Sequence, residues 1–260
     1  MICISPIPAF ADNYIWILEA PPSNAVVVVD PGLAEPVLSV LSDRQLRPAA
    51  FLLTHHHGDH VDGLVELLRH HPAPVYGPAR ESISREVQPV QGGDRVPLLE
   101  LRHDLFLDVL DVPGHTSGHV AYYAPGFALV GDTLFAGGCG RVFEGTTEQM
   151  FESLRKLAAL PPETEIYCAH EYTVGNLRFA LHVSPENETL ADRLRTARAE
   201  REAGRPTVPS TLARELDTNP FLRCTEAEII AAAEAHAGRP LAPGAEVFAV
   251  IRGWKDGWQG

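Results

Sequence analysis

The sequence has few cysteines, and the four that it has stand without CxxC spacing. This pattern argues against a small domain held together by disulfides and against a zinc knuckle. Free thiols are typical of a reducing compartment. We therefore expect a cytoplasmic protein.

Basic residues are also scarce: lysine and arginine number 21 against 34 acidic residues, for a net charge of −13. Nucleic acid and membrane surfaces are not expected as partners, because binding to phosphate groups requires a basic surface. The longest apolar runs, such as residues 25–29, are the length of a strand, and the N-terminus has no signal-peptide pattern. An anionic substrate would need a local cluster of cations.

Histidine is concentrated in the internal segment THHHGDH, residues 54–60. Its side chains of metal-binding type include His55, His57, Asp59 and His60. Imidazole and carboxylate groups suit zinc or iron. The apolar residues 49–53 predict a buried strand, and the spacing of apolar residues in 61–68 predicts a helix. A loop between two such elements can direct alternate side chains to one point, so a metal site is favoured over a solvated histidine-rich loop.

Three further residues of ligand type lie at the ends of predicted strands. They are His115 in PGHTSGH, Asp132 in LVGDTLF and His170 in CAHEYT. One fold could bring them to the same edge as THHHGDH. Asp30 also follows a predicted strand, and it has two interpretations that the sequence leaves open: it orients a metal ligand, or it caps the next helix.

The remaining patterns predict a mixed α/β region followed by a helical one. Residues 2–7, 14–18 and 25–29 are expected to form an antiparallel meander, and residues 78–97 a loop without clear chemistry. Thr146 and Gln149 form a capping-box pattern. Strand patterns disappear after Tyr172, and a second capping box is expected at Thr225 and Glu228.

The motifs HxHxDH, GHTxGH, GDTLF and AHEYT together resemble the metallo-β-lactamase superfamily and, within it, the glyoxalase II family of hydroxyacylglutathione hydrolases. The resemblance extends from NYIWIL through GGCGR, PSTLARE and NPFLR to Arg252 and Lys255. It implies an α/β (α+β) fold, a four-layer αββα sandwich with a C-terminal helical domain. Residues 1–171 would form the metal-binding catalytic domain and residues 172–260 the glutathione-binding domain.

The resemblance also implies two divalent metal ions, with zinc as the expected metal and iron or manganese as alternatives. The ligands that it assigns are imidazoles and carboxylates: His55, His57, Asp59, His60, His115, Asp132 and His170. Asp132 would bridge the two ions. Asp59 and Asp132 are the expected catalytic residues, and Asp59 would also orient a metal-bound hydroxide. His119 is interpreted as a residue that braces the loop.

The activity implied is hydrolysis of the thioester S-D-lactoylglutathione, and of other S-2-hydroxyacylglutathiones, to glutathione and D-lactate. This reaction is the second step of methylglyoxal detoxification, and the enzyme is expected to be a monomer. The residues that match substrate-binding positions are Arg141, Phe143, His170, Tyr172, Arg252 and Lys255. Phe143 stands where relatives carry tyrosine, so one hydroxyl donor is missing.

Other functions are compatible with parts of the same pattern. Iron persulfide dioxygenases share much of the fold and use a single metal. A nuclease is disfavoured by the acidic composition, and a lactonase by the helical tail with its cations. A metal-binding scaffold without activity is the alternative that is not an enzyme. Metal content and thioester turnover distinguish these possibilities.

Overall fold

The computed structural model of the chain describes residues 2–83 and 87–260. It contains two compact units. The first consists of Met1–Asp111 and Ser117–Gly131, and the second of Val112–Thr116 and Asp132–Gly260. The predicted domain boundary between residues 171 and 172 stays a prediction.

The first unit contains a sheet whose strands lie in sequence order. These are β1 (Cys3–Ala9), β2 (Asn13–Glu19), β3 (Ala25–Val29), β4 (Arg47–Leu52), β5 (Val75–Pro78) and β6 (Gln88–Val90). Strands β1 to β3 pair antiparallel, which confirms the predicted meander. Strands β3 to β6 pair in parallel. The sequence of β3 is entirely apolar because all five of its residues are buried.

A second set of antiparallel strands completes the sheets of the first unit. It contains β7 (Arg95–Pro97), β8 (Phe106–Asp111), β9 (Val120–Ala124) and β10 (Phe127–Gly131). The fully buried Tyr122 of β9 donates its hydroxyl to the carbonyl oxygen of Leu53, at 2.8 Å. A buried hydroxyl needs such a partner. The bond links β9 to the end of β4, where the THHHGDH segment begins.

The helices of the first unit are α1 (Ala34–Asp43), α2 (Gly58–Val61) and α3 (Leu64–His70). Val37 and Leu41 of α1 and Leu64 and Leu67 of α3 share one apolar core with β1 to β5. Burial of each such side chain contributes about 1.5 to 3 kcal/mol. This core supports the THHHGDH segment from both ends.

The second unit combines short strands with helices. Its strands are β11 (Leu134–Phe135), β12 (Gly138–Cys139), β13 (Glu165–Cys168) and β14 (Ser210–Thr211). Its helices are α4 (Thr147–Ala158), α5 (Thr173–Val183), α6 (Glu188–Glu202), α7 (Leu212–Thr218), α8 (Ala227–Ala237) and α9 (Ala245–Gly257). The predicted capping box of α4 is confirmed by reciprocal bonds between Thr146 and Gln149.

A buried polar network fixes the β11–β12 hairpin of the second unit. Glu215, which is fully buried, pairs with Arg193 and accepts a hydrogen bond from the Gly137 amide at 2.8 Å. Asn219 donates its side-chain amide to the carbonyl oxygen of Gly138 at 2.9 Å. Buried charges require such partners. The network holds the backbone that follows Asp132.

Three predictions about local structure are wrong. Residues 78–97 are not a featureless loop, since they contain β6 and β7. The helix predicted after THHHGDH is divided into α2 and α3 at Gly63, where a Cβ would lie 2.5 Å from the Pro31 carbonyl oxygen. The second capping box does not form: α8 begins after Glu226, without a side-chain cap.

Candidate metal centre

The first unit brings four of the predicted ligands together, two in the loop between β4 and α2 and two in α2 itself. We call His55, His57, Asp59 and His60 the first ligand group. His55 Nε2 lies 3.1 Å from His57 Nδ1, and His60 Nε2 lies 3.6 Å from an Asp59 carboxylate oxygen. His55 and His60 are buried, whereas His57 and Asp59 are partly exposed. The group is therefore anchored in the core and accessible at one side.

The Asp30 carboxylate contacts the first ligand group and the residue that precedes it. Its carboxylate accepts hydrogen bonds from the Thr54 amide at 2.8 Å and the Thr54 hydroxyl at 2.7 Å, and lies 3.1 Å from His60 Nδ1. The cap of α1 is Leu33, so Asp30 does not cap that helix. Of the two interpretations of Asp30, the structure favours orientation of a ligand. With Nδ1 facing Asp30, His60 presents Nε2 to a metal.

Asn13 is a supporting residue that sequence reasoning missed. Its side-chain amide donates a hydrogen bond to Asp59 Oδ2 at 3.0 Å. The bond fixes the orientation of the carboxylate. Asn13 stands at the first position of β2, far from Asp59 in the sequence. No local pattern signals this contact, because the folding of the sheet creates it.

The second unit brings together the other three predicted ligands, His115, Asp132 and His170, which we call the second ligand group. His115 Nε2 lies 3.4 Å and His170 Nε2 3.3 Å from the same Asp132 oxygen, Oδ2. All three side chains are nearly fully buried. His115 Nδ1 lies 2.9 Å from the Arg141 carbonyl oxygen. That oxygen can only accept, so Nδ1 carries the proton and Nε2 keeps its lone pair.

The donor atoms of the two ligand groups fit divalent cations of the zinc or iron type. Each group combines imidazole nitrogens with a carboxylate, and neither contains cysteine. All seven residues are among those whose ligand-type atoms cluster closely enough to hold a metal ion. His119, in the part of the chain that the structure describes, belongs to no such cluster. Its ring is fully buried and stacks on His55 at a centroid distance of 4.7 Å.

Cations gather in the second unit around Asp256. The Asp256 carboxylate lies 2.9 Å from an Arg252 guanidinium nitrogen and 3.6 Å from Arg141 Nε. Lys255 Nζ lies 4.9 Å from the centre of the Trp258 ring. Partial burial, with Arg252, Arg141 and Arg178 nearby, lowers the pKa of Lys255 to about 8. The excess of positive over negative charge would favour an anion.

Arg252 differs from the other predicted substrate-binding cations because it is only 4% exposed. It donates to the Cys139 carbonyl oxygen at 3.0 Å and stacks over the Phe221 ring at 5.0 Å. Arg141 is largely exposed and Lys255 partly exposed. Direct contact of Arg252 with a ligand stays a prediction, and its visible contacts support the β12 backbone.

Two exposed aromatic side chains adjoin the second ligand group. Tyr172 is 40% exposed and stacks on the His170 ring at a centroid distance of 4.7 Å. Phe143 is 61% exposed, and the centre of its ring lies 5.2 Å from that of His115. Exposed apolar surface beside buried ligand atoms is typical of a binding site.

A fold with mixed α/β sheets and two groups of histidine and aspartate ligands defines the metallo-β-lactamase superfamily. The model of that superfamily matches residues 10–170. A second family model, described as the C-terminus of hydroxyacylglutathione hydrolase, matches residues 171–258. The predicted fold class and the predicted resemblance are confirmed, and the chain belongs to the hydroxyacylglutathione hydrolase family.

Curated relatives match over nearly the whole chain. A hydroxyacylglutathione hydrolase of Nitrosomonas eutropha is 49% identical over 100% of both chains. That of Alkalilimnicola ehrlichii is 54% identical over 96% of this chain and 97% of its own.

Among the described residues, no helix combines the length and the apolar character needed to cross a membrane.

Solved structures share the fold at lower identity. ETHE1 from Myxococcus xanthus has a TM-score of 0.65 and 22% identity, with 98% of each chain covered. TTHA1623 in a di-iron-bound form has a TM-score of 0.60 and 27% identity, with 84% of this chain and 100% of that chain covered.

Proposed function

We propose that the protein hydrolyses S-2-hydroxyacylglutathione thioesters, S-D-lactoylglutathione first among them, to glutathione and the free hydroxy acid. For S-D-lactoylglutathione the acid is D-lactate, and the reaction is the second step of methylglyoxal detoxification. The proposal rests on the family membership of the chain, which extends over both the metal-ligand motifs and the C-terminal region.

One structural observation carries the proposal. Two buried imidazoles direct Nε2 at a single carboxylate oxygen, Asp132 Oδ2. Imidazole nitrogens beside a carboxylate oxygen are donor atoms that suit a divalent transition-metal ion. We therefore propose that two divalent ions would be held by His55, His57, Asp59, His60, His115, Asp132 and His170, with Asp132 as a ligand that both ions would share. Such ions, when bound, supply an acidic water and stabilise negative charge on an oxygen.

The residues of the chain have separate tasks in this reaction. The Arg141 carbonyl fixes the tautomer of His115, and the Asp30 carboxylate would orient the ring of His60. Asn13 holds Asp59 so that its carboxylate can orient the attacking water. The conjugate acid of the leaving thiolate has a pKa of about 8.5, so the thiolate needs little help from a general acid.

Recognition of the glutathione part is proposed for the second unit. Lys255 and Arg141 would bind the glycine carboxylate of glutathione, and Arg252 would add positive charge nearby. Charge-assisted hydrogen bonds to a carboxylate are stronger than hydrogen bonds between neutral groups. Tyr172 and Phe143 would contact the peptide. Phe143 has no hydroxyl to donate, so it can offer only apolar contact.

The test is metal analysis combined with thioester hydrolysis on the purified protein. We expect two metal ions per chain and turnover of S-D-lactoylglutathione, with release of free thiol. One metal ion per chain and no thioester turnover would contradict the proposal. Turnover of small thioesters alone would retain the hydrolase but reject glutathione as the recognised group.

Several finer features belong to the same proposal. Zinc is the proposed metal, and the di-iron form of TTHA1623 keeps iron among the alternatives. Residues 1–171 are proposed to provide metal binding and residues 172–260 glutathione binding. A cytoplasmic monomer is expected, and the mass of the protein in solution tests its oligomeric state.

A further inference from the structure

Glu81 has a buried carboxylate in the segment that was predicted to be a loop without chemistry. Its side chain is 0% exposed. A carboxylate removed from water needs partners of its own. Oε2 accepts a hydrogen bond from the His56 amide at 2.7 Å and also contacts His56 Nδ1, and Oε1 accepts one from the Gly118 amide at 2.9 Å.

His56 is the one histidine of THHHGDH outside the predicted ligand set. It lies between His55 and His57, and its ring is 5.1 Å from that of His57. Glu81 holds both the backbone amide and the ring of His56. Because the peptide chain is continuous, fixing His56 at two points restricts the backbone on which both neighbouring ligands stand.

Gly118 provides the other side of this contact. A Cβ at position 118 would lie 2.6 Å from Glu81 Cγ and 2.9 Å from the Arg80 carbonyl oxygen. Only glycine allows the segments to approach so closely. The next residue, His119, stacks on His55. Glu81 therefore connects the segment that contains His55 to the segment whose His119 ring stacks on His55.

We propose that Glu81 is a positioning residue for the metal centre, which sets the orientation of His55 and His57 through His56 and Gly118. The inference rests on the proposed function, since it takes the first ligand group as metal ligands. It explains why a buried acid stands in segment 78–97, why position 56 is histidine and why position 118 is glycine.

The first test is Glu81→Gln, in which an amide nitrogen replaces one accepting oxygen. Because the two carboxylate oxygens accept from the Gly118 and His56 amides, and a nitrogen can accept neither bond, one of the two is lost whichever way the glutamine amide turns. We expect the zinc dissociation constant, measured by chelator competition, to rise by about 10- to 100-fold, as is usual when a partner of a ligand is lost. The visible absorption of the cobalt-loaded protein should also change, and KM should not.

Glu100→Gln is the matched control, because Glu100 is 62% exposed and pairs only at the surface with Arg47. It should leave zinc binding unchanged. If Glu81→Gln instead lowers the thermal stability of metal-free and zinc-loaded protein equally and leaves the zinc constant unchanged, Glu81 is merely structural and the proposal is overturned.

A double-mutant cycle tests whether Glu81 acts through His56. The losses in Glu81→Gln and His56→Ala should overlap, so the double variant should bind zinc more tightly than the product of the two effects predicts. Independent effects would overturn the mechanism. If Glu81→Gln does not fold, His56→Ala alone must weaken zinc binding, and an unchanged constant would overturn the proposal.

The readout separates this inference from the proposed function. Zinc binding is measured without substrate, so a parent protein that binds zinc but hydrolyses no thioester contradicts the function and not the role of Glu81. A parent with full turnover, whose Glu81→Gln variant keeps its zinc affinity and cobalt spectrum, contradicts only the role of Glu81.

Discussion

The two compact units differ in what accompanies their proposed metal ligands. In the first unit the ligands come from one short segment, and their neighbours Asp30, Asn13 and Glu81 are polar groups that orient side chains or backbone. In the second unit the ligands come from three separate segments, and that unit also carries the cluster of cations around Asp256. Each unit therefore carries candidate metal ligands, whereas the groups suited to an anionic substrate gather in the second unit.

This difference leads to a rule for variants. Changes in the first unit should alter metal affinity and kcat together. In the second unit, a change at Asp132 should also alter metal affinity and kcat together. A change at Lys255 should raise only KM. A variant of the first unit that raised only KM would break the rule.

The largest effect is expected for Asp132→Asn, which should reduce turnover below detection and lower metal content. The amide has no charge with which to compensate two cations. Steady-state kinetics and elemental analysis measure both effects, and circular dichroism checks the fold. Asp192→Asn is the control, since Asp192 is 68% exposed and should be neutral. Full turnover with two bound metals would show that Asp132 is not the bridge.

A smaller difference is expected between two histidines of the GHTSGH motif. His115→Ala removes a ligand of the second group, so both metal content and kcat should fall steeply. His119→Ala removes a ring that stacks on His55, and losses of such supporting groups cost about 10- to 100-fold. Metal content and kcat of the two variants provide the comparison. Equal loss of metal would reverse the assignment of ligand and brace.

The sequence predicts which residues of ligand type cluster in the fold better than it predicts the residues that support them. THHHGDH is visible because its donors are adjacent, and β3 is visible because it is uniformly apolar. Glu81 and Asn13 were missed because their partners are distant in sequence and are brought close only by folding. The capping box at Thr225 failed for a related reason: the pattern is local, but where α8 begins depends on the packing around it.

Substrate affinity provides the next contrast. Lys255→Ala should raise KM for the glutathione thioester by about 10- to 100-fold with kcat nearly unchanged, since a charge-assisted bond contributes about 1.5 to 3 kcal/mol equally in ground and transition states. Arg252→Ala should raise KM similarly and also lower the melting temperature, because Arg252 is buried against Cys139. A small thioester without the peptide should show no change in KM. Lys156→Ala is the control and should leave KM unchanged. An unchanged KM in Lys255→Ala would contradict glutathione thioesters as the substrate class.

The smallest expected effect is a dependence of substrate capture on pH. The pKa of Lys255 lies at about 8, below its ordinary value, chiefly because burial disfavours the charged form. Lys255 is therefore protonated and able to bind a carboxylate below pH 8, and it becomes neutral as the pH rises through that value. Since kcat/KM reports groups of the free enzyme, kcat/KM for the glutathione thioester should fall above pH 8. Lys255→Arg should remove this part of the fall, because arginine stays charged. Other groups titrate in the same range, so the ratio of the two pH profiles is the quantity to measure, and a ratio that does not vary with pH would contradict a role for the Lys255 charge in binding.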